Sequence, residues 1–483
     1  MPLIYMNKFY SITLSKKFKA LLMLLVASAL YTSQVSAQVT FDAQKAFLDT
    51  TKKKQITEVP LNTRSQKKRF GRAVLYLGIA EFTPFAYDRW IAGKDYAKIT
   101  FATVGHNLNP GHWQIDNDPF QTNQFGHPFH GSLFYSSFRV NGYSFWEAAP
   151  AAAAGSYLWE TFAETQAPAP NDFINTTFGG IVLGEMTYRF ANRLINNRAT
   201  GFKRQVQEVA GLIMNPMNGL NRIVDGRWGK VRANSALHDS TKLNLEVDAG
   251  VRYYNTVAGF NTSGFYGRAK LTYGLPYDNY RVPFSNIYVN AEFGRDDSAK
   301  VNAINVYGSL TGWELKNDSS SRHLAVLSAN YDYIRNAGVF YGGQSVKLNV
   351  FSEYNLHRKV KFNTGFSAGP VLLGAAPDPY FYNSRNYDYT TGASFAAGGG
   401  LSIKDRFFLN AEYRGGYLAT INGYSSHYLL HTITSEIRFA VTKDLSLCAD
   451  PGYLVIKGKY NKFAETQNTY SYFRATVRYG LNL

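Results

Sequence analysis

The sequence predicts an α+β chain, an N-terminal helical module followed by an antiparallel transmembrane β-barrel of about twelve strands. Three observations predict it. The hydrophobic period changes from helical to two near Thr241 and stays two thereafter. Aromatic residues make up 16% of the chain, with 35 Tyr and 34 Phe, yet mean hydropathy is slightly polar. That balance excludes a bundle of long apolar helices and suits strands whose lipid-facing and lumen-facing residues cancel. The N-terminus reads as an export signal.

In the signal, residues 1–37, Lys16, Lys17 and Lys19 form the basic region. Residues 20–30 are an apolar core too short to span a bilayer. Val35-Ser36-Ala37 is a small-residue cleavage site. Residues 38–69 form a polar lead-in with two basic triplets. The helical module occupies 70–225, a linker 226–240 and the barrel 241–483. The formal charge is +17; removing the signal with its four lysines leaves +13. In an exported barrel this suits phospholipid headgroups or lipopolysaccharide phosphates, and no nucleic-acid partner is expected. The single cysteine, Cys448, excludes an internal disulfide and a cysteine metal site.

Within the module, residues 70–91 predict a helix broken near Pro84, and 99–104 a short strand or helix end. Residues 106–124 are rich in turn-forming types. A helix over 133–146 sets Arg139, Tyr143 and Glu147 on one face. Pro150 suits the first turn of a helix through Glu164, with Ser156, Glu160 and Glu164 along one side. Asn171-Asp172 predicts an N-cap for a helix over 173–190, whose Thr176, Gly180 and Gly184 form a stripe for close packing. A fourth helix runs from Gly201 to about Asn215-Pro216, and 218–237 reads as linker.

In the barrel, the first strand opposes Leu243, Leu245, Val247, Ala249 and Val251 to Asn244, Glu246, Asp248 and Arg252. The last opposes Phe473, Ala475, Val477 and Tyr479 to Arg474, Thr476 and Arg478. Lipid outside and a polar lumen inside account for that contrast. Twelve segments repeat it: 241–254, 263–274, 285–295, 301–315, 322–335, 339–354, 359–373, 388–403, 405–418, 425–440, 443–458 and 469–483. Strand eight directs Gly392, Ser394, Ala396, Gly398, Gly400 and Ser402 to the lumen, leaving room there.

The segment WQIDNDPFQTNQFGHPFHGS (113–132), Phe145-Trp146-Glu147, Trp159-Glu160 with Glu164, Asn171-Asp172-Phe173 and Gly179-Gly180 through Gly184-Glu185 resembles the domain-of-unknown-function family number 3943, over residues 106–190. The resemblance implies no established activity.

Candidate chemistry lies in the same block. His127 and His130 are candidate catalytic residues and candidate metal ligands, since two imidazoles three apart can turn to one ion. Glu160 and Glu164, carboxylates in an apolar setting, raise each other's pKa and can do acid–base work. The four are expected to converge, with Arg139, Glu147, Asp172 and Asn175 as binding partners. Asp116-Asn117-Asp118 lacks the spacing of a calcium loop and reads as a turn. Ser425, His427 and His431 share a lipid-facing phase, without a nucleophile elbow. No cofactor is named by the sequence. The expected function is an outer-membrane barrel whose periplasm-side module binds lipid or an envelope partner without catalysis. The alternatives are a lipid-processing hydrolase or acyltransferase, and a solute channel. The barrel-assembly machinery is the expected partner in biogenesis.

Overall fold

The structure, a computed structural model, describes residues 67–232, 241–256, 261–296, 299–357 and 359–482. The export signal, nearly all of the lead-in and residues 233–240 lie outside the described residues.

Twelve strands close into one antiparallel barrel. They are β1 (Leu243–Thr256), β2 (Asn261–Tyr273), β3 (Ile287–Asp296), β4 (Ala299–Asn317), β5 (Ser321–Arg335), β6 (Phe340–His357), β7 (Val360–Pro377), β8 (Tyr387–Ile403), β9 (Phe407–Asn422), β10 (Ser426–Ala440), β11 (Leu445–Tyr460) and β12 (Thr466–Asn482). β1 pairs with both β2 and β12, so no edge is left open. The phase agrees with the alternation in the sequence. Glu246, Asp248, Arg252, Arg268, Arg474 and Arg478 point inward and are buried, while Val251, Phe265, Ile433 and Phe473 point outward and are exposed. Register explains why the inward charges tolerate burial. Asp248 stands opposite Arg478 on one side and Arg268 on the other. Arg478 is held by Asp248 at 2.7 Å and Glu436 at 2.6 Å, and Arg474 by Glu292 at 2.6 Å. Buried charges survive only when paired in this way. On β9 Glu412 pairs with Arg414, whose side chain remains 50% exposed beside the small inward face of β8. Between β8 and β9, Lys404 and Asp405 both take positive φ, as a tight hairpin turn requires.

The module is α1 (Phe70–Ala86), α2 (Phe101–Asn107), α3 (His127–Arg139), α4 (Phe145–Phe162), α5 (Pro170–Ile174), α6 (Gly180–Leu194), α7 (Gly201–Met214) and α8 (Pro216–Val224). Among the described residues no helix is long and apolar enough to cross a membrane. Several expected boundaries move. The 133–146 helix ends at Arg139, because Gly142 turns the chain with φ 95. The next begins at Phe145, where Ser144 and Glu147 form a capping box, so Pro150 lies inside α4. α4 ends at Phe162, leaving Glu164 beyond it. Asp172 is not an N-cap; the helix starts at Pro170, the first-turn position proline favours. Residues 218–224, read as linker, belong to α8, capped by the Asn215 side chain. α5 and α6 join through a π-helical turn, Asn175–Gly179. α6 crosses α3 backbone to backbone; a Cβ on Gly131 would stand 1.9 Å from the Thr176 carbonyl oxygen, and one on Gly180 2.5 Å from Gly131.

The module lies against the outward wall of the barrel. Leu271, Val289, Val306 and Tyr331 are successive cross-strand partners on the outward phase. They pack in one core with Tyr135, Phe145, Val182 and Phe190 of the helices, and the same core takes in Leu373, Tyr387 and Tyr389. The seam thus runs along the hydrogen-bonding direction from β1 to β8, perpendicular to the strands. Polar contacts reinforce it. Arg189 donates to the Pro283 carbonyl at 2.8 Å, and the Tyr331 hydroxyl to the Gln124 carbonyl at 2.5 Å.

Candidate site at the module–barrel junction

Three helices and the segment 113–119 bring buried polar groups together beside β8. α3 begins with His127, α4 delivers Glu160 in its last turn, and α5 carries Asn171 and Asp172. Ligand atoms of His127, Glu160 and Asp172 all lie within 4.8 Å of one another. His127 Nε2 is 3.4 Å from Asp172 Oδ1 and makes no hydrogen bond. Glu160 Oε2 accepts from the Ala169 backbone N–H at 3.1 Å. Asn171 Nδ2 links the group outward: it donates to Asp172 Oδ1 (2.8 Å), Asp116 Oδ1 (2.7 Å) and the Tyr389 hydroxyl (2.8 Å). Asn123 donates to Asp116 at 3.0 Å and to the Tyr387 hydroxyl at 2.8 Å. Arg385 comes near, but its Nη1 donates to the Asp116 backbone carbonyl.

The site is therefore acidic and buried. Among the described residues no lysine or arginine side chain forms an ion pair with Asp116, Asp118, Glu160, Glu164 or Asp172. Burial, then the Glu164 carboxylate, holds Glu160 well above the usual carboxylate range. Burial, then Asp116, does the same to Asp172. Burial lifts Glu164 to about 7, against a hydrogen bond from Trp159, and lifts Asp118 to about 6 with help from Asp116. Burial holds His127 down to about 4, hence neutral and able to offer a lone pair. An imidazole and two carboxylates on separate helices can hold a cation or share protons.

Of the sequence candidates, His127, Glu160 and Asp172 come together. Glu164 lies next to them, its Oε1 accepting from Trp159 Nε1 at 2.6 Å. His130 does not join: it meets the Ala80 carbonyl at 3.1 Å and packs on Phe134 and Trp159, because three residues along α3 turn it to the α1 side. Arg139 is elsewhere too, held with Arg189 by the fully buried Glu185. Glu147 sits at the exposed start of α4, bonded to Lys68 at 2.6 Å. Asn175 is fully buried, one turn beyond Asn171, and neither amide atom has a partner. Sequence reasoning missed Asp116, Asn123, Asn171, Tyr387 and Tyr389. The first three were read as turn or cap residues, and the two tyrosines were not singled out. On β10, His427 and His431 do face outward, where His427 stacks on Tyr417 and His431 meets the Tyr413 hydroxyl at 2.6 Å.

Fold and site together define a closed twelve-stranded antiparallel β-barrel carrying a helical module with a buried acidic junction. Residues 112–217, which hold most of that junction, match the family profile described as Domain of unknown function (DUF3943). No curated protein matches the chain. Solved structures similar to the barrel include the NanC porin, at 12% identity and TM-score 0.31, covering 49% of this chain and 100% of that one. Another is the KdgM porin, at 9% identity and TM-score 0.24, covering 48% and 98%. A third is the toluene transporter TodX of P. putida, at 9% identity and TM-score 0.21, covering 50% and 89%.

Proposed function

We propose that this is a non-enzymatic outer-membrane protein whose barrel holds the helical module against the bilayer, where the module binds lipid. The observation that carries this reading is the seam on the outward wall. A module packed there, on the same phase that elsewhere meets acyl chains, has lipid as its neighbour. Its surface fits: Phe70, Trp90, Ile91 and Phe101 are 65%, 66%, 75% and 99% exposed. Trp90 and Ile91 are adjacent in the chain, and exposed apolar side chains of this size suit an apolar neighbour. The excess of Lys and Arg favours anionic headgroups, phospholipid or lipopolysaccharide. Catalysis has less support, since His127, Glu160 and Asp172 do not make up a complete hydrolytic triad. The seam argues for a module beside the barrel, in place of one suspended from its periplasmic end. The test is the protein reconstituted in vesicles with brominated acyl chains. Tryptophan fluorescence should be quenched, and replacing Trp90 and Trp146 by Phe should remove a distinct part of that quenching. Unchanged quenching in the double variant would sink the proposal.

A second reading, a solute channel, rests on the small inward face of β8 opposite the half-exposed Arg414. Planar-bilayer recording decides it: a channel gives unitary steps that change in Arg414→Ala, and silence in both proteins rejects it.

A further inference from the structure

We infer that His127, Glu160 and Asp172 bind one divalent metal ion of the zinc or manganese class, through one imidazole nitrogen and two carboxylates. The inference is independent of the lipid reading, which rests on the packing of the module on the outward wall and on its exposed apolar side chains.

Several observations converge on an ion. The three ligand atoms come from three different helices yet lie within 4.8 Å of one another. Ligands of a tetrahedral zinc stand about 3.3 Å apart, from bond lengths of about 2.0–2.1 Å, so modest side-chain rotation closes the site. His127 Nε2 is buried, directed at Asp172 Oδ1 from 3.4 Å, and has no hydrogen-bond partner. Two further buried side chains on or next to the same elements have no partner. Ser156 lies one turn before Glu160 on the same face of α4 and is 1% exposed; Asn175 lies one turn after Asn171 and is 0% exposed. Unsatisfied buried polar atoms are costly, and an imidazole nitrogen left so beside two carboxylates calls for a ligand.

Charge argues the same way. Burying carboxylates without a counter-charge is unfavourable, and no lysine or arginine side chain pairs with Glu160 or Asp172 among the described residues. A divalent cation supplies the two missing charges in the centre of the cluster. The groups around the ligands are already oriented. Asn171 holds Asp172 Oδ1, and the Ala169 N–H holds Glu160 Oε2. Such outer bonds fix ligand direction in metal sites. The imidazole selects against calcium and magnesium, which prefer oxygen alone. Three protein ligands leave a coordination position open. Through Asn171 and Asp116 the ion would also join the helices to Tyr389 of the barrel wall.

The experiment uses the full chain in detergent, stripped with a chelator and then equilibrated with zinc, manganese or calcium chloride in turn. Bound metal is measured after gel filtration, and thermal stability alongside it. The expected result is one zinc or manganese per chain and a raised Tm. Glu160→Gln and Asp172→Asn should each lose more than the ~10–100-fold in affinity that loss of an outer partner costs. His130→Ala should bind like the parent, since it faces Ala80. Substoichiometric zinc and manganese in the parent would overturn the proposal, and that measurement stands even where a variant fails to fold. Wild-type affinity in a folded Glu160→Gln/Asp172→Asn double variant would overturn it too, as would calcium bound in preference to zinc.

Discussion

Replacing Glu185 by alanine should loosen the module while leaving the barrel closed. Glu185 is fully buried and holds three groups at once: Arg139 Nε at 2.7 Å, Arg189 Nε at 2.7 Å and the Tyr135 hydroxyl at 2.7 Å. Burial alone would raise its pKa, but Arg139 and Arg189 outweigh burial and hold it below the usual value. Removing one partner of a buried ion pair costs about 3–5 kcal/mol. Two stranded guanidiniums need not double that, because Arg139 keeps the Tyr143 carbonyl and Arg189 the Pro283 carbonyl. For a module of this size about 2–4 °C per kcal/mol converts the loss to a fall of about 6–20 °C in Tm. Helical circular dichroism in detergent would follow the melt, and heat-modifiable gel migration would report the barrel. A fall under about 2 °C, on the same conversion, would refute the reasoning. The triple variant Arg139→Met/Glu185→Leu/Arg189→Met should recover most of the loss, since an apolar set of similar volume need not be desolvated.

Gly131→Leu should destabilise by at least the ~1–3 kcal/mol typical of overpacking, because its Cβ meets the Thr176 backbone at 1.9 Å, whereas Gly105→Ala has open space and should be neutral or stabilising in the same melt. In chelator, Tm should fall between pH 5 and pH 8.5. Glu160, Glu164 and Asp172 have raised folded pKa values, so the stability they allow is full below the ordinary carboxylate pKa of about 4 and is lost as pH rises through the raised values, about 7 for Glu164. Glu185 acts with the opposite sign, losing its contribution as pH falls through its lowered value, so a Tm that climbs steadily from pH 5 to pH 8.5 would contradict the burial of the acids. In cell fractionation the mature protein should pellet with outer membrane and show heat-modifiable migration; recovery as soluble periplasmic protein would contradict the barrel reading.

The barrel was legible because lipid and lumen impose opposite demands on alternate residues. A strand such as β12, with Phe473 and Val477 against Arg474 and Arg478, has one phase only. The docking of the module was not legible for the same reason. Tyr273, Tyr331, Tyr387 and Tyr389 occupy the outward phase, and a residue that will meet a helix looks like one that will meet an acyl chain. Within the module, helix existence was readable, but terminal geometry was not. His130, three residues along α3 from His127, turns to α1, and the helix start at Pro170 frees Asp172 from capping. Arg139 was visible as a charge needing a partner. That the partner is Glu185, 46 residues away, depends on Gly180 and Gly184 letting α6 approach α3.

The seam also dictates an order of folding. The helices are synthesised before the strands, yet their core is completed by side chains from Leu243 on β1 to Tyr389 on β8. The wall that Tyr135, Phe145 and Phe190 pack against does not exist until those eight strands have paired in register. Until then the module carries an apolar face with nothing to cover it, and Glu185 and its arginines stand in a half-built pocket. Completion of the helical core is thus a late event governed by contacts of very high sequence separation, the kind that makes folding slow. A frame-preserving lesion in β7 or β8 should therefore leave the helices protease-sensitive, even though it falls about two hundred residues downstream of them.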